Sequence, residues 1–233
     1  MIFSEYKGGP LPFRELLDIM KKKFPKYHVH ALFYQSDLSF KLEYLELITL
    51  RYTHTKKRFV ELFSKTPEMT SEETFEFLQS VSALQLDADS FLIFSRIVLD
   101  RIPIILKPLY KGIVTKKEPS TINIKQHLDW FSKNTKYIKD SEFLSKMIIF
   151  KKLFEEELRE PRNKIVVHPS RKHYRSSLSN DGNLTRYEYA YDSTEKLWKV
   201  VKTMPIKDID YLYKEVWSFI LYLNEFFLSN LNV

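Results

Sequence analysis

The chain contains no cysteine and only four glycines, and both shortages exclude common kinds of functional site. Without cysteine there is no disulfide, no thiolate zinc site and no cysteine nucleophile. The glycines (Gly8, Gly9, Gly112 and Gly182) form neither G-x-G-x-x-G nor a P-loop, so the backbone cradles that hold dinucleotides and nucleoside triphosphates are missing. The lack of thiols is compatible with a reducing compartment, and we expect a cytoplasmic protein.

Long apolar runs are also missing. No stretch of eighteen apolar residues occurs, and even the most apolar segment, around residues 91–106, contains Arg96, Asp100 and Arg101. A membrane span is therefore not expected. Charged residues also interrupt the first twenty-five positions, which argues against a secretory signal. The G-x-S-x-G motif of many serine hydrolases is absent as well.

The spacing of apolar residues predicts that most of the chain is helical. A long amphipathic helix is expected after an irregular segment at Pro25–Gln35, and Pro103 should kink a central apolar helix. Thr70 and Glu73 form a capping box ahead of one helix, and Asp140 should cap another. The predicted helices cover approximately residues 12–24, 37–63, 71–84, 87–110, 124–131, 140–159 and 208 onward.

A short region before the last helix has the pattern of β-structure. Asn180–Asn183 is a turn signal, and Tyr187, Tyr189 and Tyr191 alternate with other residues, as in a strand. A second strand near 196–203 would complete a hairpin or a three-stranded meander. With 233 residues and 44% hydrophobic composition, the chain can bury a substantial core. We predict a mainly α fold: a helical bundle over residues 1–233, treated as a single domain, with an antiparallel β-ribbon inserted at about 171–204.

The positive charge of the chain, formally +7, is concentrated in the basic segment, residues 159–175. This segment contains six Arg or Lys residues and one Glu, a net charge of +5. Such a patch is typical of proteins that bind phosphate-bearing partners, although it is also compatible with an ordinary solvated lysine-rich surface. The candidate RNA-binding residues are Arg159, Lys164, Arg171, Lys172 and Arg175.

Arg162, Asn163 and His168 lie within this basic segment and are the candidate catalytic residues. A guanidinium can hold a phosphate, and an imidazole can exchange a proton near neutral pH. Pro161 suits the first turn of a helix, and Pro169 should end that helix. Residues six apart on an α-helix lie about 9 Å apart along its axis and point in directions roughly 120° apart. The long arginine side chain or a loosened helix end could close this gap, or a second copy of the motif could face the first across a two-fold axis, which favours a homodimer.

The form Arg-Asn-x4-His at 162–168, in a helical setting, resembles the R-x(4–6)-H signature of HEPN domains. The resemblance covers this motif and the general helical character of the chain. It implies a helical bundle, dimerisation that brings two motifs together, and often metal-independent endoribonuclease activity without a cofactor. It also implies catalytic roles for Arg162 and His168 and an accessory polar role for Asn163. In the family, the 2′-hydroxyl of RNA attacks the adjacent phosphate and leaves a cyclic phosphate end.

Three charged residues, Asp89, Arg96 and Asp100, fall on one stripe of the predicted central helix. Charges on an apolar helix must be paired or line a cavity. They could form a polar wall of the active cleft or support Arg162, or they could form an internal salt bridge. The site itself has an alternative interpretation, in which Arg162 pairs with Glu155–Glu157 or Glu160 and His168 is an ordinary turn residue.

Two further patterns each have a functional and a structural interpretation. His28 and His30 could face one side of a strand as metal ligands, but no carboxylate close in sequence completes a ligand set, and no metal is expected. The alternating tyrosines could stack nucleobases, or they could pack down on the helices.

Two functions follow as hypotheses. The first is a HEPN-like, metal-independent endoribonuclease of a defence or toxin type, acting as a homodimer on RNA, with an antitoxin or other protein as a further candidate partner. The second is a non-catalytic helical module that binds nucleic acid or an acidic protein through the basic segment.

Overall fold

The structure is a computed structural model. It describes residues 13–115, 119, 122–163 and 173–231, with side chains for all of these except 28–30 and 173–176. The described part is mainly α-helical, with one small antiparallel sheet before the C-terminal helix, and this confirms the predicted fold class. Its α-helices are α1 (Arg14–Lys23), α2 (Pro25–Ser64), α3 (Ser71–Leu106), α4 (Ile124–Lys133), α5 (Ser141–Leu153), α6 (Glu160–Arg162) and α7 (Ile209–Leu231).

Helix α2 is longer than the sequence pattern predicts, since Pro25–Gln35 is helical rather than irregular. A proline is well suited to the first position of a helix, because its missing N–H has no partner there and its φ angle is already helical. His28 and His30 therefore lie on a helix, and the strand geometry that would aim both at one metal is wrong. Their side chains lie outside the described residues.

Helix α3 runs without the break that was expected near residues 85–86, and Pro103 is inside it. The apolar residues Leu84, Ala88 and Phe91 are fully buried on either side of the expected break. Burial of this apolar face stabilises the helix here, and Gln85 and Leu86 are themselves good helix formers. The helix ends at Leu106, and a 3₁₀ turn over Lys107–Gly112 contains Pro108.

Two predicted helix caps are confirmed. The backbone N–H of Glu73 donates to the Thr70 hydroxyl (3.2 Å), and the backbone N–H of Thr70 donates to the Glu73 carboxylate (3.0 Å). The Asp140 carboxylate accepts from the backbone N–H of Phe143 (2.8 Å). Each cap satisfies backbone donors that the first turn of a helix leaves unpaired.

The chain divides into two compact units. Unit 1 comprises the residues up to Tyr44, Phe94–Glu155 and the residues from Glu215 onward. Its core is rich in aromatic rings: Phe150 and Phe219 stack with ring centroids 3.6 Å apart. The hydroxyl of Tyr110 is 2.8 Å from Nε2 of His127, and both residues are fully buried. Burial raises the pKa of the Tyr110 hydroxyl well above its ordinary value, because a phenolate would be poorly solvated there.

Unit 2 comprises Leu45–Ile93 and Glu156–Lys214, and it contains the sheet. Strands β1 (His173–Leu178), β2 (Leu184–Asp192) and β3 (Leu197–Pro205) form an antiparallel meander in the order β1-β2-β3. The turn predicted at Asn180–Asn183 joins β1 to β2, with the N–H of Gly182 donating to the carbonyl of Ser179 (2.8 Å). A bulge interrupts the β2–β3 register next to Glu188 and Tyr189.

Candidate functional site

The segment that leads to Arg162 is a helix with an unusual hydrogen-bonding pattern. Helix α5 continues into a π-helical segment, Phe154–Arg159, and then into α6. Pro161 therefore does not begin a separate helix, because the backbone before it is already helical. A proline ring clashes with the carbonyl four residues earlier in a regular α-helix, and the wider π turn relieves such a clash. Single π turns are frequent at functional sites.

Arg162 and Asn163 lie together at the end of this helix. Nη1 of Arg162 donates a hydrogen bond to the side-chain oxygen of Asn163 (3.1 Å). Both side chains are half-buried, whereas Pro161 beside them is buried. The side-chain oxygen of Asn163 therefore helps to orient the guanidinium, and both side chains remain partly accessible.

Two of the remaining candidate residues of the basic segment, Arg159 and Arg175, lie in the described part of the chain. Arg159 is half-buried within the π segment. Arg175 is in β1, where its backbone is the register partner of Tyr187, and its side chain is outside the described set. His168, Lys164, Arg171 and Lys172 lie outside the described residues. Glu160, an alternative ion-pair partner for Arg162, accepts from Nζ of Lys202 at 3.1 Å.

The three charged residues of the central helix have different partners. Asp89 belongs to unit 2 and forms an ion pair with Arg186. Arg96 and Asp100 belong to unit 1, where Nε of Arg96 donates to the Asp100 carboxylate (2.8 Å). Asp100 also accepts from the backbone N–H of Ile124 (2.8 Å) and so stabilises the first turn of α4. Arg96 and Asp100 thus form the internal salt bridge that was one of the two interpretations.

The buried face of β2 is polar, which sequence reasoning missed. Arg186 is 1% exposed and Glu188 is 5% exposed, although both are charged. Nε and Nη1 of Arg186 are buried without a hydrogen-bond partner among the residues that the structure describes. The alternation along β2 could have indicated this polar face. Successive side chains of a strand point to opposite faces, so residues 184, 186 and 188 must face away from the tyrosines at 187 and 189.

The tyrosines lie on the opposite face of β2. They are less buried than Arg186 and Glu188. Tyr187 and Tyr189 are half-buried, and Tyr191 is 52% exposed. On β3, Trp198 is the register partner of Tyr191, and the two rings meet edge to face with centroids 5.5 Å apart. This aromatic face is accessible to a ligand at its outer end.

A second polar cluster in unit 2 ties the β1–β2 turn to α2. Nζ of Lys56 donates to the side-chain oxygen of Asn183 (2.8 Å) and forms an ion pair with Asp208. Tyr52, one helical turn earlier, is 2% exposed. Burial raises the pKa of its hydroxyl, and the negative charges of nearby Asp208, Asp87 and Asp181 raise it further. These contacts hold the β1–β2 turn against α2. The Asn-Asp-Gly-Asn pattern predicts a turn but not its contacts with Lys56.

Neither a metal centre nor a membrane span is found in the described ranges. Groups of three or more His, Asp or Glu side chains suited to holding a metal ion do not occur there. None of the helices described is both long and apolar enough to cross a bilayer. Comparisons with protein-family models, with curated proteins and with solved structures found no match.

Proposed function

We propose that the protein is a HEPN-like, metal-independent endoribonuclease in which Arg162 binds the scissile phosphate and His168 transfers a proton. The observation that carries the proposal is the half-buried Arg162–Asn163 pair at the end of a π-distorted helix, inside the basic segment. The role of His168 rests on the resemblance of the sequence motif.

The proposed reaction is a transesterification within the RNA strand. The 2′-oxygen attacks the adjacent phosphorus and loses its proton, while the bond from phosphorus to the 5′-oxygen breaks and that oxygen gains a proton. The products are a 2′,3′-cyclic phosphate and a 5′-hydroxyl end. His168 carries one of these protons, and Arg162 stabilises the negative charge that builds up on the phosphoryl oxygens. Arginine suits this role because it stays charged and can donate two parallel hydrogen bonds.

Asn163 has a positioning role in this proposal. Its side-chain oxygen already accepts from Arg162, and its amide N–H groups remain as donors. The active species is a homodimer, since a second copy supplies another Arg162 and His168 at the same site. RNA is the proposed substrate, and the protein belongs to a cytoplasmic defence or toxin system.

The test is cleavage of labelled RNA in the presence of EDTA. Wild-type protein should cut the RNA, and Arg162→Ala and His168→Ala should each lower the rate by at least about 100-fold. Arg14→Ala is the matched control, because Arg14 is an exposed arginine on α1, far along the chain from the motif. Equal rates for wild type and both site variants would refute the proposal, and so would activity that EDTA abolishes.

A second candidate function is a binding module without catalysis. It is favoured by the exposed aromatic rings of the sheet, which offer a nucleic-acid surface that does not need Arg162. This candidate predicts RNA binding that weakens steeply with salt and no cleavage products at any protein concentration.

A further inference from the structure

We infer that the tyrosine face of the sheet is a stacking platform for the unpaired bases of single-stranded RNA. This platform is defined by Tyr187, Tyr189, Tyr191, Trp198 and Val200. The choice of RNA rests on the proposed function, but binding by the platform does not require that the protein cleaves RNA.

The register brings these residues onto one face. Tyr191 is the partner of Trp198, and Tyr189 is the partner of Val200, so each pair lies side by side across β2 and β3. The exposed fractions are 52% for Tyr191, 45% for Trp198 and 48% for Val200. Aromatic side chains on a strand surface are the feature that single-strand binding sheets use to stack bases.

The spacing of the rings fits an unstacked strand better than a duplex. Residues two apart on a strand are about 7 Å apart, whereas successive bases along one strand of a duplex are about 3.4 Å apart. Tyr187, Tyr189 and Tyr191 therefore match a single strand whose bases are separated from one another. In a duplex the base faces are already stacked on one another, so they cannot stack on these rings.

The charge of the platform also favours a polyanion. The residues assigned to this face by the register on β2 and β3 are Thr185, Tyr187, Tyr189, Tyr191, Trp198, Val200, Thr203 and Pro205, and none is acidic. The register of β1 places His173 opposite Tyr189 and Arg175 opposite Tyr187. The acidic residues of β2 are elsewhere: Glu188 is buried, and Asp192 pairs with Lys199 at 2.8 Å.

A protein partner would use a different balance of contacts. An acidic partner would gain little from four aromatic rings, and the β1 register partners of Tyr187 and Tyr189 are Arg175 and His173 rather than apolar residues. RNA combines both requirements, because every nucleotide carries a flat base and a negative phosphate.

The experiment measures binding by fluorescence anisotropy with the full chain carrying Arg162→Ala, so that the proposed cleavage cannot consume the probe. The probes are a labelled twelve-nucleotide oligouridine and a labelled twelve-base-pair RNA duplex. Tyr191→Ala and Trp198→Ala should each weaken oligouridine binding by about 5- to 100-fold, as expected for loss of one stacking ring. Tyr191→Phe and Trp198→Phe should bind nearly as well as the parent, since they keep an aromatic ring.

Tyr211→Ala is the matched control, because Tyr211 is 45% exposed on α7 and lies outside the sheet. It should leave binding unchanged, and circular dichroism should show that all variants remain folded. The inference is overturned if the parent does not bind oligouridine, if it prefers the duplex, or if the Ala variants bind as tightly as Tyr211→Ala. It is also overturned if the Phe variants bind as weakly as the Ala variants.

The nuclease proposal and the platform proposal can be refuted independently of each other. Wild-type protein that does not cut RNA, combined with the expected binding pattern, refutes the nuclease and supports the platform. Cleavage that depends on Arg162, combined with normal binding and cleavage by Tyr191→Ala and Trp198→Ala, supports the nuclease and refutes the platform.

Discussion

The guanidinium of Arg186, on the buried face of β2, forms an ion pair with the carboxylate of Asp89 on α3. The two residues are 97 positions apart in the sequence, and Arg186 is almost completely removed from solvent. Burying a charge is costly unless an opposite charge accompanies it. This pair therefore connects the sheet to α3 within unit 2.

Asp89→Asn should destabilise the protein substantially, because it leaves a buried guanidinium without this counter-charge. We expect the free energy of unfolding to fall by about 3 kcal/mol, measured by urea denaturation. Asp192→Asn is the control: it breaks the more exposed pair with Lys199 and should cost at most about 1 kcal/mol. Equal losses for the two variants would contradict the structural role given to Arg186.

A fully buried carboxylate, that of Asp87, allows a double-variant test. Asp87 is fully buried, and Nε of Arg51 donates to both of its oxygens at 2.9 and 3.0 Å. Arg51→Met should lower the free energy of unfolding by about 3 kcal/mol, because the carboxylate stays buried without its partner. Adding Asp87→Leu should recover most of that loss, since the buried charge is then gone. A double variant less stable than Arg51→Met would show that Asp87 has other essential contacts.

Gly182 is predicted to be intolerant of a side chain. Its φ angle is +74°, and a Cβ atom there would lie 2.8 Å from Cγ of Lys56. Gly182→Ala should therefore strain the β1–β2 turn and displace Lys56 from Asn183, at a cost of more than about 1 kcal/mol. Gly112→Ala is the matched control, because a Cβ there meets nothing within 4 Å. Thermal unfolding of both variants checks this, and equal melting temperatures would contradict it.

The acid sensitivity of unit 1 should depend on Asp129. Burial by itself raises the pKa of this carboxyl, but hydrogen bonds from Lys125 and Lys151 outweigh it and lower the pKa below its ordinary value. A carboxyl with a lowered folded-state pKa stabilises the fold above its unfolded pKa, about 3.9, and this contribution is lost as the pH falls through the folded value. Stability should therefore decline below about pH 4.

Lys151→Met removes one of these two cations and should lessen that decline, while costing about 0.5–1 kcal/mol near pH 6. Lys152→Met is the control, because Lys152 is an exposed neighbour on the same helix. Melting temperatures measured from about pH 2 to pH 6 would reveal the difference. Parallel pH profiles for wild type and Lys151→Met would count against the assigned role of Lys151.

Local sequence patterns predicted much of the fold. The Thr70–Glu73 capping box, the Asp140 cap, the turn before β2 and the mainly α fold class were all read from short-range signals. The helical start of α2 at Pro25 and the continuity of α3 were missed. Both places carry favourable local signals, since Pro25 suits the first position of a helix and Gln85 and Leu86 are good helix formers. Burial of the apolar face around Leu84 and Ala88 stabilises α3 further.

Less of the candidate site than of the fold could be predicted from the sequence. The alternation of β2 identified a strand, but choosing its buried face required knowledge of Asp89, which lies far away in the chain. The hydrogen bond between Arg162 and Asn163 joins neighbours in the sequence, so it needs no tertiary contact to form. The π segment suits Pro161, whose ring would clash in a regular α-helix, but a proline alone does not specify a π turn.

The most direct test of the nuclease proposal is the chemistry of the RNA ends, read by mass spectrometry after incubation in EDTA. The proposal predicts 2′,3′-cyclic phosphate and 5′-hydroxyl ends from wild-type protein, and formation of those ends at least about 100-fold more slowly with Arg162→Ala and His168→Ala. Intact RNA after incubation with wild type, or the same ends formed as fast by either variant, would contradict it.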